Sequence, residues 1–417
     1  MPTPDLDRAR AALAAGDAVA AEAALRGAPP SAQALALRAG VEAMRAEPAA
    51  EASARAALAI DPGCGLAHRH LAVALIQRGD PAAALRHAER GAALEPDDPG
   101  AHEVVAVAAA GAGRFGAAWD AFVRVAALRP DDATPWRNAG QVALAVDEHA
   151  AAAHAFTQAL ARAPTLAPAL EGQARALAAL GRDADAAAAW ARLAALDPSR
   201  ADARHLATAL AGGHADAPPP GYARAVFDAN AARFDELLVD RLQYCGPALV
   251  RAALADRAPF PRALDLGCGT GLVGAALRDR CAHLTGVDVA PAMLAQAARR
   301  GCYDALVAAE LIDFLAAGAD RFELVVAADV FIYVGDLAPV FAALAPRLAP
   351  GAAVAFTTEA GAGLTLARTG RWSHGGDHVA ARAAAHGLAV ASRTAATLRR
   401  EPSGPVAGEV WVLIAPS

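Results

Sequence analysis

Between Ala263 and Gly274 the chain reads ALDLGCGTGLVG, in which Gly267, Gly269, Gly271 and Gly274 follow a short apolar run that carries an acid, Asp265. Glycines at alternate positions let the backbone turn sharply and approach a ligand, because they reach conformations that a Cβ forbids. The spacing Gly269-x-Gly271-x-x-Gly274 satisfies the fingerprint of a loop that cradles a pyrophosphate. Asp265 argues for the opposite charge, since a carboxylate costs interaction energy beside a phosphate and complements a cation. Further on, TGVDVA places Asp288 where the next strand should end, a position from which an acid accepts hydrogen bonds from ribose hydroxyls.

Such residues need a frame. From Arg262 onward short apolar segments alternate with helical ones: RALDLG, HLTGVD, DALVAA, ELVVAAD and AAVAFTTE, then LAVASR and VWVLIAP. This alternation predicts a parallel, doubly wound α/β sheet, with ligands at the carboxyl ends of its strands. Only a loop, REPSGPVAGE, separates the last two of the seven strands, so they are expected to form an antiparallel edge hairpin.

Asp265-x-Gly267-x-Gly269-x-Gly271, then Asp288, then APAML, resembles the class I S-adenosylmethionine-dependent methyltransferases over about residues 222–417. The resemblance implies S-adenosylmethionine as cofactor, with S-adenosylhomocysteine as its product, and a Rossmann-like seven-stranded fold. Carried over by position, Gly267, Cys268, Gly269 and Gly271 line the methionine moiety beside Asp265. Asp288 holds the ribose with Val289 next to it, and Met293 packs near the adenine. Glu310 and Leu311 read the adenine amino group, and Asp329 faces the site from the fourth strand. The segment YARAVFDANAARFDELL, with Tyr222, Phe227, Arg233 and Phe234, is expected to close over the cofactor. Cys268 reads as a small filler of the loop rather than a nucleophile.

Methyl transfer from a sulfonium asks the protein mainly for alignment and exclusion of water; proximity can supply roughly 7–11 kcal/mol. A base is required only where the acceptor loses a proton, and the candidates are His374 in RWSHGGDH, Asp329, and Tyr333 in DVFIYVGD. Arg371, Arg399 and Arg400 are candidates for holding an acidic substrate. The stretch AADVFIYVGD lacks the Asn/Asp-Pro-Pro-aromatic pattern that grips a flipped base, which argues against nucleic acid as substrate.

The first half is organised differently. Pro62, Pro96, Pro130, Pro164 and Pro198 recur every 34 residues. In the same register fall turn residues Gly79, Gly113, Asp147 and Gly181, small residues Ala84, Ala118, Ala152 and Ala186, and large residues Phe122, Phe156 and Trp190, with Ala88 as the exception. Two packed helices per repeat need small residues where backbones approach and a proline after the second helix. The pattern resembles the tetratricopeptide repeat family over about residues 31–200, with a shortened unit before it and a capping helix at SRADARHLATALAG. The resemblance implies an all-α solenoid of five or six repeats and a protein or peptide partner on its concave face. Groove positions Arg69, Val73, Glu103, Val107, Arg137, Gln141, Glu171 and Arg175 mix charges and do not name that partner. The whole arrangement resembles bacterial methyltransferases that carry tetratricopeptide repeats.

Length and composition agree with two folded parts. At 417 residues the chain exceeds one ordinary core, and 56% hydrophobic against 20% charged residues leaves no large part too polar to collapse. The expected division is a solenoid over residues 1–213, a Pro/Gly linker over 214–221, and a catalytic domain over 222–417 with lid helices in 222–258. Net charge is −6 and no basic block is present, so nucleic acid is a poor partner. All 38 basic side chains are arginine, a coding bias that suggests a GC-rich bacterial genome. Five scattered cysteines with no C-x-x-C pair suggest neither a disulfide framework nor a zinc site. The N-terminus lacks an apolar signal core, and the longest apolar run, Val104 to Gly113, is about half a membrane span, so a cytoplasmic protein without a membrane partner is expected.

Overall fold

The computed structural model describes residues 4–257, 259–401 and 404–417, apart from the side chains of Ala229 and Asn230. It divides into two compact units, Met1–Ala189 and Trp190–Ser417.

The first unit is helical throughout its described length. Its helices come in pairs: Gly65–Gln77 with Pro81–Leu94, Pro99–Gly111 with Phe115–Leu128, Thr134–Ala145 with His149–Arg162, and Ala167–Ala179 with Asp183–Leu196, whose last turns pass into the second unit. The second helices begin at Pro81, Phe115, His149 and Asp183, which preserves the 34-residue period of the prolines. Gly79, Gly113, Asp147 and Gly181 each turn the chain between the two helices of a pair with positive φ. Ala84, Ala118, Ala152 and Ala186 are fully buried, as close approach of backbones demands. Phe156 explains two of the glycines, because a Cβ at Gly140 or Gly172 would collide with its ring.

The second unit is built on a sheet of nine strands rather than seven. They are β1 Phe260–Leu266, β2 Cys281–Asp288, β3 Ala305–Ala308, β4 Phe322–Ala327, β5 Leu348–Ala360, β6 Leu364–Leu366, β7 Trp372–His374, β8 Ala389–Glu401 and β9 Gly404–Ile414. The first five are parallel in the order β3-β2-β1-β4-β5. β9 then pairs antiparallel with β5, and β8 with β9, which is the expected hairpin. That hairpin is longer than the sequence suggested: β8 runs to Glu401 and β9 starts at Gly404, so most of REPSGPVAGE is ladder rather than loop.

The two unforeseen strands, β6 and β7, form a small hairpin between β5 and β8. β7 pairs through Ser373 with Glu359 of β5, whose other edge is taken by Gly408 of β9. It therefore lies on the β4 side of β5, beyond Ala327, where β4 ends. Three-residue strands carry too little periodicity to be read from sequence, and this pair caps the end of the sheet at which a ligand is expected.

Side-chain alternation sorts the strands onto two cores. Leu264, Leu266, Val325, Ala327, Val354 and Phe356 pack on one face with Trp411 and Phe341. Ala263, Leu324, Val326, Ala353 and Ala355 pack on the other with Val250, Leu254 and Leu277. Among the described residues no helix is long and apolar enough to cross a membrane, and no group of three or more His, Cys, Asp or Glu side chains is placed to hold a metal ion.

Candidate active site

At the carboxyl ends of β1, β2 and β4 lies a cavity of about 540 Å³. Its floor is the glycine loop. Gly267, Gly269 and Gly271 have φ of 66°, 54° and 91°, the left-handed region that favours glycine, and at Gly267 a side chain would also strike Val330. Asp288, at the end of β2, fixes this loop: its Oδ2 accepts from the Gly269 amide at 2.8 Å and its Oδ1 from the Ala290 amide at 2.9 Å. Val289 and, past β3, Glu310 and Leu311 continue the wall. Burial pushes the Glu310 carboxyl up, and its neighbours Asp313 and Asp288 push it further.

Asp329 follows β4 with a φ of 59°, a strained value for a residue with a side chain. Its amide donates to Thr357 Oγ1 at 2.8 Å, and its Oδ1 accepts from Arg399 Nη1 at 2.7 Å. Arg399 is itself 1% exposed and also binds Glu359 and Glu401, while Arg371 reaches the same two acids. Arg371 and Arg399 thus neutralise carboxylates of this chain instead of waiting for an acidic substrate. Burial pushes the Asp329 carboxyl up, against the pull of Arg399.

A lid crosses the cavity: the helix Tyr222–Asn230, a 3-10 turn Ala231–Arg233 and a π-helical stretch Glu236–Arg241. Asp228 accepts from the Ala292 amide at 3.1 Å, and Asp235 binds both Thr270 of the glycine loop and Arg300. Tyr222, Phe227 and Phe234 all line the cavity, and Phe227 packs edge-on against Tyr333 with centroids 4.9 Å apart.

The segment 214–221, read as a linker, forms part of the wall: Asp216 through Gly221 line the cavity. Ala215 accepts from Trp372 Nε1 at 2.9 Å, and the Asp216 carbonyl accepts from the Asp336 amide at 2.8 Å. The segment lies so close to Gly335 that any Cβ there would overlap the Asp216 carbonyl. Gly335→Ala is therefore expected to lift this strap, costing about 1–3 kcal/mol, seen as a lower denaturation midpoint and faster proteolysis near residue 216. The helix Ala201–Leu210 supports the same region, since His205 Nε2 donates to the Gly370 carbonyl at 2.8 Å and the His205 ring sits 4.3 Å from Tyr222 and 4.9 Å from Trp372.

Four expected site residues lie outside the cavity lining. Gly271 caps the helix Leu272–Leu277 and abuts Tyr303. Met293 is fully buried beneath Phe227 and Phe234. His374, also fully buried, donates from Nε2 to the Gly335 carbonyl at 2.9 Å, where it props the strap, and burial lowers its pKa. Asp265 does not line the cavity. It is 1% exposed, on the same sheet face as Ala263, and accepts from the Tyr303 hydroxyl at 2.7 Å.

Burial pushes the Asp265 carboxyl up to about 7 from 3.8, although the Tyr303 and Gly274 hydrogen bonds pull it down. Between those values the native state keeps a proton that the unfolded chain releases, so this group's contribution falls as pH rises through the window and levels above it. Asp265→Asn should flatten that part of the stability profile, measured by urea denaturation between pH 4 and 8 relative to the unaltered protein.

Of the other expected residues, Cys268 lines the cavity edge with a thiol that burial keeps protonated, and Tyr333 has its phenol pushed up to about 12 by burial and then by Asp329. Asp329 is then the one of the three proposed bases that both lines the cavity and can accept a proton. Tyr244, Thr270, Asp216, Gly335 and Asp336 also line it and were not foreseen. Tyr244 is brought in by a short ladder, Cys245 N–H to Leu398 O at 2.9 Å and Arg400 N–H to Leu242 O at 2.6 Å, which no local pattern announces.

Residues 264–354 match the family model described as Methyltransferase domain. That stretch runs from β1 into β5 and holds the glycine loop, Asp288, Glu310 and Asp329. The second unit thus carries a methyltransferase domain. Among solved structures, the chain is similar to the N-methyltransferase NodS from Bradyrhizobium japonicum WM9 in complex with S-adenosylhomocysteine, at 21% identity, 47% of this chain, 99% of that chain and a TM-score of 0.40. An S-adenosylmethionine-dependent methyltransferase from Clostridium acetobutylicum is similar at 14% identity over 46% of this chain and 100% of that one, with a TM-score of 0.36. The magnesium protoporphyrin IX methyltransferase ChlM from Synechocystis PCC 6803 gives 16%, 40%, 76% and 0.33 in the same order. No curated protein matches the chain.

Proposed function

We propose that the protein is an S-adenosylmethionine-dependent methyltransferase whose helical repeats, read as a tetratricopeptide solenoid, recruit a protein, peptide or carrier-bound acceptor. The observation that carries the first part is the Asp288-pinned glycine loop at the floor of the cavity. Gly267 and Gly269, both left-handed, bring bare backbone to the cavity, which offers carboxylates and no cation among its described lining residues, and this suits a sulfonium and not a pyrophosphate. Gly267 and Gly269 would line the methionine moiety, Asp288 the ribose, and Glu310 with Leu311 the adenine. When bound, the cofactor supplies a methyl group activated by positive sulfur.

The chain's own residues then have three tasks. The lid and the strap 216–221 exclude water, Asp228 and Asp235 latch the lid to the cofactor side, and Asp329 is available to take a proton from the acceptor. A second reading, a free small-molecule acceptor with the repeats serving assembly, is favoured by the strap itself, which walls off the cavity.

Calorimetry tests the foundation: S-adenosylmethionine should bind and NADH should not. Removing residues 1–198 keeps the supporting helix Ala201–Leu210. Full turnover of the true acceptor by that shortened protein would count against recruitment, and a methyl-sized mass gain in a protein acceptor only with the full chain would support it.

A further inference from the structure

The sheet order separates the cavity into two ends. Asp288 and Glu310, after β2 and β3, lie to one side of the glycine loop, and Asp329, after β4, lies to the other with Tyr333 and Asp336. The second end is where an acceptor must sit if the first holds the cofactor.

That end has a definite chemistry. Although the chain has nearly as many basic residues as acidic, 38 against 44, none of the described lining residues is basic, while Asp216, Asp329 and Asp336 all line this end. The nearest cations stand behind the wall. Arg399 holds Oδ1 of Asp329 from its buried side, which leaves Oδ2 for a ligand, and Arg382 holds Asp336 at 3.0 Å. In the buried cluster behind Asp329, two guanidinium groups, Arg371 and Arg399, face three carboxylates, Asp329, Glu359 and Glu401, so one negative charge is left over. Independently, the hydroxyls of Tyr244 and Tyr333, both on the cavity, have no hydrogen-bond partner among the described residues. Tyr222 and Phe227 also line the cavity, and aromatic rings are groups that attract a cation.

We infer that the methyl acceptor is an amine, bound as its ammonium between the Asp329 carboxylate and the tyrosines at this end of the cavity. The inference rests on the methyltransferase reading above. A carboxylate acceptor would face three acids with no counter-charge, and a thiol or phenol would have to ionise in the same negative field. An ammonium gains from each group. It gives one proton to Asp329, its freed lone pair forms the new N–C bond, and the old bond to that carbon breaks with its electron pair remaining on sulfur. The product leaves as the methylammonium, and Asp329 returns its proton to water.

The experiment has two arms on the full-length protein. Calorimetry with S-adenosylhomocysteine comes first, and absence of binding overturns the cofactor reading itself. With that ligand saturating, phenethylamine, phenethyl alcohol and phenylacetate are then titrated as probes of one shape. The amine is expected to bind about tenfold or more tighter than either of the others. Asp329→Asn should weaken the amine about tenfold and leave S-adenosylhomocysteine affinity within about twofold. Asp336→Asn gives a second comparison should Asp329→Asn unfold. Equal affinities, a preference for phenylacetate, or no amine binding to the loaded protein overturns the amine assignment while the cofactor reading stands.

Discussion

Asp288→Ala is expected to abolish measurable cofactor binding, with affinity for S-adenosylhomocysteine falling about 100-fold or more in calorimetry. The carboxylate has one role present in the structure and one proposed for it. It would hold the ribose, and it already accepts the Gly269 and Ala290 amides, which fixes the glycine loop on one side and the start of the helix Pro291–Arg300 on the other. Hydrogen bonds to a charged group contribute about 1.5–3 kcal/mol each. Losing the ribose contact, together with the cost of reordering a loop freed of these two bonds, is expected to reach the roughly 2.7 kcal/mol that corresponds to 100-fold. Asp288→Asn separates the roles, because an amide oxygen can still accept from one of the two backbone donors. An intermediate loss is expected there, and unchanged binding in Asp288→Ala would contradict the site.

The largest stability effect is expected at Arg399. Its guanidinium is almost wholly buried and is the partner of Asp329, Glu359 and Glu401. Arg371 remains for two of these acids in Arg399→Ala, whereas Asp329 is left without its cation. Removing one partner of a buried pair costs about 3–5 kcal/mol, because the other charge stays desolvated. For a unit of this size that corresponds to a fall in Tm of roughly 10 °C, measurable by calorimetry. Arg399→Lys should recover only part of this, since an ammonium cannot span three acids with a planar fork. In a double-mutant cycle Asp329→Asn should offset a share of the Arg399→Ala loss, as expected for groups in direct contact. Removal of the charge relieves the very group that was stranded.

How far the sequence could be read depended on how local each signal was. The glycine loop and Asp288 were legible because a sharp turn after a buried strand restricts residue choice within a few positions, and their left-handed glycines show the restriction directly. The helical period of the first half was legible for the same reason, its turn residues and buried alanines being fixed within one repeat. Asp265 shows the limit. Its place beside the loop suggests a ligand contact, whereas the folded chain gives its carboxylate the Tyr303 hydroxyl as partner and leaves it outside the cavity lining. Acids that do line the cavity are Asp216, Asp288, Glu310, Asp313, Asp329 and Asp336.

The surroundings of His374 and of the prolines at 218–220 were not legible for a different reason: a loop histidine and a run of prolines look alike whether they meet solvent or a wall. Their roles are set by partners such as Gly335 and Ala215, distant in the chain, through contacts that only the folded sheet with its β6–β7 hairpin makes.

The sequence by itself determined the two kinds of folded part, the repeat period, the strand-to-helix alternation and the turn of the glycine loop, because each is written in short-range spacing. Tertiary structure decided the rest: which acids face the cavity, which arginines are spent behind it, and that the supposed linker is a wall. Those outcomes depend on side-chain direction and on contacts between segments from about 20 to 160 residues apart, such as the Trp372 to Ala215 bond, and short-range spacing carries no record of them.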